Sequence, residues 1–184
     1  MILLIHAHPY PKHSRAGTAL LSHLQGVPDL AIHALYDRYP DFDIDVEREQ
    51  AALRAARLVV WMHPLYWYSV PGLLKHWFDV VLTRGFAYGR DGAALAGKAC
   101  LWVTTTGGSD EAYGPGGVHE RPFADFIAPV EQTARFCRMR WLEPLVVHGA
   151  HAVADAKLAE AGLALRQRLE AEAAHVPADA EVRA

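Results

Sequence analysis

Leu58-Val59-Val60-Trp61-Met62-His63-Pro64-Leu65-Tyr66-Trp67-Tyr68-Ser69-Val70-Pro71-Gly72-Leu73-Leu74-Lys75-His76-Trp77-Phe78-Asp79-Val80-Val81-Leu82 decides how the rest of the chain is read. Its first five residues are apolar, short and β-branched at Val59 and Val60, which suits a strand buried on both faces better than a helix. Its last part is helical. Proline at position 71 costs nothing in a first turn, and Leu73, Leu74, Trp77, Phe78 and Val81 then fall on one face. The intervening loop carries three adjacent aromatics, Tyr66, Trp67 and Tyr68. It leaves the carboxyl end of a strand, where open α/β sheets bind their ligands, and a planar, π-rich guest suits it.

Strand-helix alternation extends to both sides. Ile2 to Ile5 reads as a first buried strand, followed by a proline-interrupted loop and a helix capped by Ser14 with Ala16, Ala19, Leu20 and Leu24 on its apolar side. Leu30 to Leu35 is a weaker strand, and Tyr36 to Phe42 a loop rich in aromatics and acids. Asp43 or Asp45 can cap a helix running through Ala56. Ala99 to Thr104 is a fourth strand and Leu145-Val146-Val147 a fifth. Between them, Ser109 to Pro122 is too glycine-rich to be regular, and Phe123 to Cys137 reads as a helix bent at Pro129. A last amphipathic helix spans Ala156 to Glu172. No repeat or linker interrupts this pattern. The expectation is one doubly wound five-stranded parallel sheet in the order 2-1-3-4-5, with helices on both faces, over residues 1–175, and a frayed tail at 176–184.

Composition excludes several functions. The chain has 184 residues, 18 basic against 21 acidic, so no broad basic field exists for nucleic acid. Cys100 and Cys137 read as buried free thiols in a reducing compartment. The N-terminus has no basic leader and no apolar run is long enough to span a bilayer, so a soluble cytoplasmic protein is expected. His6 and His8 lie two apart, but Pro9 breaks the strand and no carboxylate or cysteine is close in sequence, which argues against a metal site. No G-x-S-x-G elbow is present for nucleophilic hydrolysis, and the acidic residues a phosphorylated receiver needs after its first strand are replaced by His6, His8 and proline.

Three loops should meet at one sheet edge: His6 to Ser14, His63 to Ser69, and Thr105 to His119. Ser14 with the N–H groups of Arg15, Ala16 and Gly17 offers an anion site of the kind that takes a mononucleotide phosphate, although plain helix capping would use the same residues. The aromatics of the second loop can flank a ring or pack beneath a helix or a subunit contact. In the third, Thr105, Thr106, Gly107 and Gly108 bring backbone donors close to a ligand, and Tyr113 and His119 can supply a hydrogen bond or a proton.

In this order, the segments HAHPYPKHS (His6 to Ser14), YPDFDID (Tyr39 to Asp45), HPLYWYSVPGLLKHWFD (His63 to Asp79), GFAYG (Gly85 to Gly89), TTGG (Thr105 to Gly108) and WLEP (Trp141 to Pro144) resemble the NAD(P)H:quinone oxidoreductase family. These flavodoxin-like flavoproteins include DT-diaphorase and the ancillary proteins of glutathione-gated potassium efflux. The resemblance implies a flavin held by His8, by Ser14, Arg15, Ala16 and Gly17 at the phosphate, by Leu65, Tyr66, Trp67 and Tyr68 along the ring, and by Thr105, Thr106, Gly107 and Gly108 at its edge. It implies Tyr113 and His119 as the catalytic pair. The implied activity is an NAD(P)H dehydrogenase (quinone): two-electron, ping-pong hydride transfer from NADPH or NADH through flavin N5 to a quinone, by a homodimer. The short chain lacks the C-terminal extension of the diaphorases, which favours FMN over FAD. YPDFDID and PLYWYS are closer to the potassium-efflux branch, whereas Tyr113 and His119 are closer to the diaphorases. The alternative is therefore a flavin-binding regulatory subunit, peripheral to the inner face of the membrane beside an efflux transporter.

Overall fold

A computed structural model describes residues 1–174. The expected tail at 176–184 lies outside the described residues. Five segments form the continuous path β2-β1-β3-β4-β5: β1 is Ile2–His6, β2 Leu30–Ala34, β3 Leu58–Pro64, β4 Ala99–Thr105 and β5 Arg140–Trp141. All neighbours are parallel. A sixth strand, β6 (Leu145–Val147), also pairs with β4, beyond the point where β5 ends. The order is the expected 2-1-3-4-5, with the fifth position shared by two short strands. Pro144 accounts for the break, since it has no N–H to give to β4.

Two cores cover the sheet. Leu3, Ile5, Val59, Trp61, Cys100 and Trp102 point to one face, under helices α3 (Val46–Ala55), α4 (Gly72–Val81) and α5 (Ala124–Phe136). Ile2, Leu4, Leu58, Val60, Met62, Leu101 and Val103 point to the other, under α1 (Arg15–Ser22) and α6 (Asp155–Ala174). This period-two alternation along strands that are apolar on both sides is what a parallel sheet sandwiched by helices requires. Of the two caps offered for α3, Asp45 serves, accepting from Arg48 N at 3.0 Å. The expected loop after β2 instead begins as one helical turn, α2 (Leu35–Arg38). Both cysteines are buried and free.

A buried carboxylate clasps that side of the sheet. Glu49 of α3 is fully buried and accepts from His33 Nδ1 at 2.9 Å, Tyr39 Oη at 2.9 Å and Trp77 Nε1 at 3.0 Å. Burial pushes its pKa up, but the donors from His33, Trp77 and Tyr39 outweigh it and leave the group below the usual carboxylate range. Among the described residues, no helix is long and apolar enough to cross a membrane.

Candidate functional site

The loops leaving β1, β3 and β4 converge, as the topology demands, on a cavity of about 460 Å³. Its lining includes the expected His8, Ser14, Arg15, Ala16, Leu65, Tyr66, Thr105, Thr106 and Gly107. It also includes Tyr10, His13, Pro64, Ala150 and His151. The last two come from a fourth loop, after β6, that sequence reasoning passed over. Its signal was positional: it too leaves the carboxyl end of a strand at this edge.

At one end the Ser14 Oγ accepts from Gly17 N at 3.2 Å and caps α1. Thus the Gly17 N–H is spent on the cap, while the N–H groups of Arg15 and Ala16, with no acceptor one turn back, and the serine hydroxyl proton remain to meet an anion. Gly17 is needed there, since a β-carbon would collide with the Ser14 hydroxyl. The Arg15 guanidinium turns away, donating to Val153 O at 2.7 Å and pairing with Asp155. His8 Nδ1 accepts from Tyr10 N at 3.0 Å, which leaves the neutral ring's proton on Nε2, and burial lowers its pKa.

Beneath this end sit two more neutral histidines. His63 Nδ1 donates to Pro64 O at 2.9 Å and its Nε2 accepts from Trp102 Nε1 at 2.7 Å, so one tautomer satisfies both contacts. Burial pushes His63 down to about 4. His6 is likewise lowered to about 4, by burial and by the neighbouring His8, against the pull of Asp37. Among the described residues no three His, Cys, Asp or Glu side chains are placed to hold a metal ion.

At the other end the second loop folds into a tight turn, with Tyr66 and Ser69 exchanging two backbone hydrogen bonds. Trp67 and Tyr68 at its centre have φ of 47° and 61°, a left-handed conformation that side chains rarely adopt. Trp67 is 92% exposed and stands clear of the cavity lining. Tyr68 stacks on Phe126 and shares a 3.3 Å hydrogen bond with His119 Nδ1. Tyr113 is buried and lies face to face with His119, ring centroids 4.3 Å apart. Burial raises its phenol pKa. This pair stands behind Gly108, where a β-carbon would come within 2.9 Å of His119 Nε2. Tyr113, His119, Gly17 and Gly108 therefore flank the cavity instead of lining it.

A helix N-terminus with free N–H groups, an apolar wall at Pro64 to Tyr66 and a backbone edge at Thr105 to Gly107 meet in one cavity at the switch point of a 2-1-3-4-5 sheet, the place where open α/β sheets bind their ligands. Comparison with known proteins agrees. Residues 1–169 match the family of flavodoxin-like fold, and the chain belongs to that family. It is 46% identical over 169 residues, 92% of this chain and 94% of the relative, to the glutathione-regulated potassium-efflux system ancillary protein KefF of Klebsiella aerogenes. Among solved structures it is similar to general stress protein 14 of Treponema denticola in complex with FMN, at 31% identity and a TM-score of 0.86 over 93% of this chain and 98% of that one. It is also similar to an NADPH-quinone reductase from P. pentosaceus, at 30% identity and a TM-score of 0.83 over 92% and 97%. The resemblance to the NAD(P)H:quinone oxidoreductases and their potassium-efflux branch is thereby borne out.

Proposed function

We propose that the chain is an FMN-dependent NAD(P)H:quinone oxidoreductase. The observation that carries this reading is one cavity in which the start of a helix with free N–H groups, an apolar wall and a row of backbone groups are arranged in succession. Its size falls in the usual range for small-molecule sites, roughly 300–1,000 Å³. Bound FMN would supply two-electron chemistry at its ring, between NADPH or NADH and a quinone. Arg15 and Ala16 N–H, with the Ser14 hydroxyl and His8 Nε2, would hold the phosphate. The FMN complex of the similar Treponema denticola protein supports FMN over FAD. Leu65 and Tyr66 would lie along the ring, with Trp67 and Tyr68 at its margin, and Thr105 to Gly108 along its edge. The Tyr113 phenol, kept protonated by burial, would donate a hydrogen bond to the ring, and His119, stacked on it, would offer an imidazole N–H beside it. The same reading includes a homodimer that completes the site, in the cytoplasm.

The purified protein should show flavin absorption that bleaches anaerobically with NADPH or NADH and returns with menadione. His119→Ala should keep its flavin while losing roughly a hundredfold in quinone turnover, the usual scale for a general acid. Unchanged turnover would remove His119 from the mechanism.

A second reading is favoured by the relatives of 46% identity: a flavin-binding ancillary subunit of a glutathione-regulated potassium-efflux system, docked at the inner face of the membrane. Flavin that stays oxidised with either nicotinamide, in a protein that co-purifies with a membrane potassium transporter, would favour it over the enzyme.

A further inference from the structure

The TTGG edge of the cavity is held from behind by the loop after β6. Thr106 N donates to Val147 O at 2.9 Å, Ala150 N to Thr106 O at 2.8 Å, and Gly149 N to Gly108 O at 2.8 Å. Within this backbone lacing lies one titratable side chain. His148, 20% exposed in its side chain, places Nδ1 3.0 Å from Thr106 Oγ1 and Nε2 3.4 Å from an Asp110 carboxylate oxygen. While the Thr106 hydroxyl donates its own hydrogen to Gly108 O at 2.7 Å, its oxygen can only accept toward His148.

An imidazolium donates to both Thr106 Oγ1 and Asp110 and so keeps the Thr106 hydroxyl turned toward Gly108 O; a neutral ring with its proton on Nε2 leaves Nδ1 as an acceptor that draws the hydroxyl away from Gly108 O. We propose that His148 is a positioning residue for the Thr106–Gly108 edge, holding the Thr106 hydroxyl against Gly108 O when it is doubly protonated and loosening that hold when it is neutral. Its bearing on flavin binding rests on the FMN reading above. Its effect on the loop does not.

The groups that face His148 can be named. Asp110 and Glu111, in the short turn Asp110–Tyr113, favour the imidazolium, and burial opposes them more strongly and lowers the pKa. Tyr113 lies against the ring at 5.5 Å between centroids, and Phe123 meets it edge-on at 4.9 Å. From α6, Lys157 and Glu160 border the same groove with charges of opposite sign. The switch of hold therefore falls below the ordinary histidine midpoint of about 6.5.

Two measurements test this. Imidazole-nitrogen NMR of the flavin-free chain should show His148 doubly protonated at the acid end, with the Gly107 and Gly108 amide signals shifting at the same midpoint. Asp110→Asn should move that midpoint to lower pH. FMN dissociation constants, read by quenching of flavin fluorescence, should weaken by roughly tenfold as His148 loses its proton, the worth of one hydrogen bond. The FMN phosphate titrates in the same range, so the informative quantity is the difference between wild type and His148→Asn, which offers an N–H to Thr106 but cannot titrate. Glycine amides that ignore the His148 titration, or a pH profile identical in His148→Asn, would overturn the proposal. A chain that binds no FMN at any pH would sink the cofactor reading, and the NMR titration would then decide His148 alone.

Discussion

Ser14 and His63, at the floor of the cavity, and Trp67 and Tyr68, at its rim, all lie at or just beyond the carboxyl ends of the neighbouring strands β1 and β3. At the floor Ser14 caps a helix, and His63 accepts a hydrogen bond from Trp102 Nε1 and donates one to Pro64 O. At the rim the backbone is held at positive φ on two bulky residues, and an indole stands almost wholly in water. The floor is organised before any ligand arrives. The rim holds conformational strain, on the order of 1–3 kcal/mol per such residue, and exposed apolar surface, both of which a partner lying over it could repay.

Acid should separate the two regions most strongly. His6 and His63 have folded pKa values near 4, below the unfolded value of 6.5, so between those limits the unfolded chain binds more protons. Their contribution is fully present above about pH 6.5 and falls away as pH drops toward 4, by on the order of 3 kcal/mol for each residue. Urea midpoints measured across that window should drop steeply, and His63→Gln should remove its share of the slope. An unaltered slope in that variant would mean the floor is not what acid attacks. Less drastic is Gly17→Ala, whose added carbon displaces the Ser14 cap. About 1 kcal/mol of stability should go with it, together with at least tenfold in FMN affinity. The smallest effect on stability belongs to the rim. Trp67→Gly should leave urea stability within about 1 kcal/mol, or raise it slightly, because glycine is at ease at that φ, while flavin retention weakens. A large loss of stability would show that the indole packs against the fold after all.

The strand order was legible because period-two burial on both faces of Ile2–His6, Leu58–Pro64 and Ala99–Thr105 leaves few arrangements. The floor of the site was legible for the same reason: proline-rich and glycine-rich loops at strand ends announce themselves. The split of the fifth strand was not, because Pro144 acts through a ladder bond to a distant segment. The aromatic run at 66–68 predicted contact with a ligand, yet the turn geometry that turns Trp67 outward depends on φ values that composition does not reveal. Nor did the four residues His148 to His151 form any recognisable motif. Their importance comes from standing beside Thr106 and Gly108 in space. Glu49 was hidden for a similar reason, its partners His33, Tyr39 and Trp77 being scattered over three elements.

The break at Pro144 has a further consequence for how this molecule lives at high concentration. An outer strand with an unbroken row of free amides and carbonyls is a template onto which other chains can add, and many proteins guard such margins with charge or twist. Here the margin beyond β4 is two residues, an interruption, then three more, with Arg140 at its start. On this side a stray chain finds no long run to register against, so the chain's own sequence, and not a covering element, limits strand addition at the β5 and β6 margin.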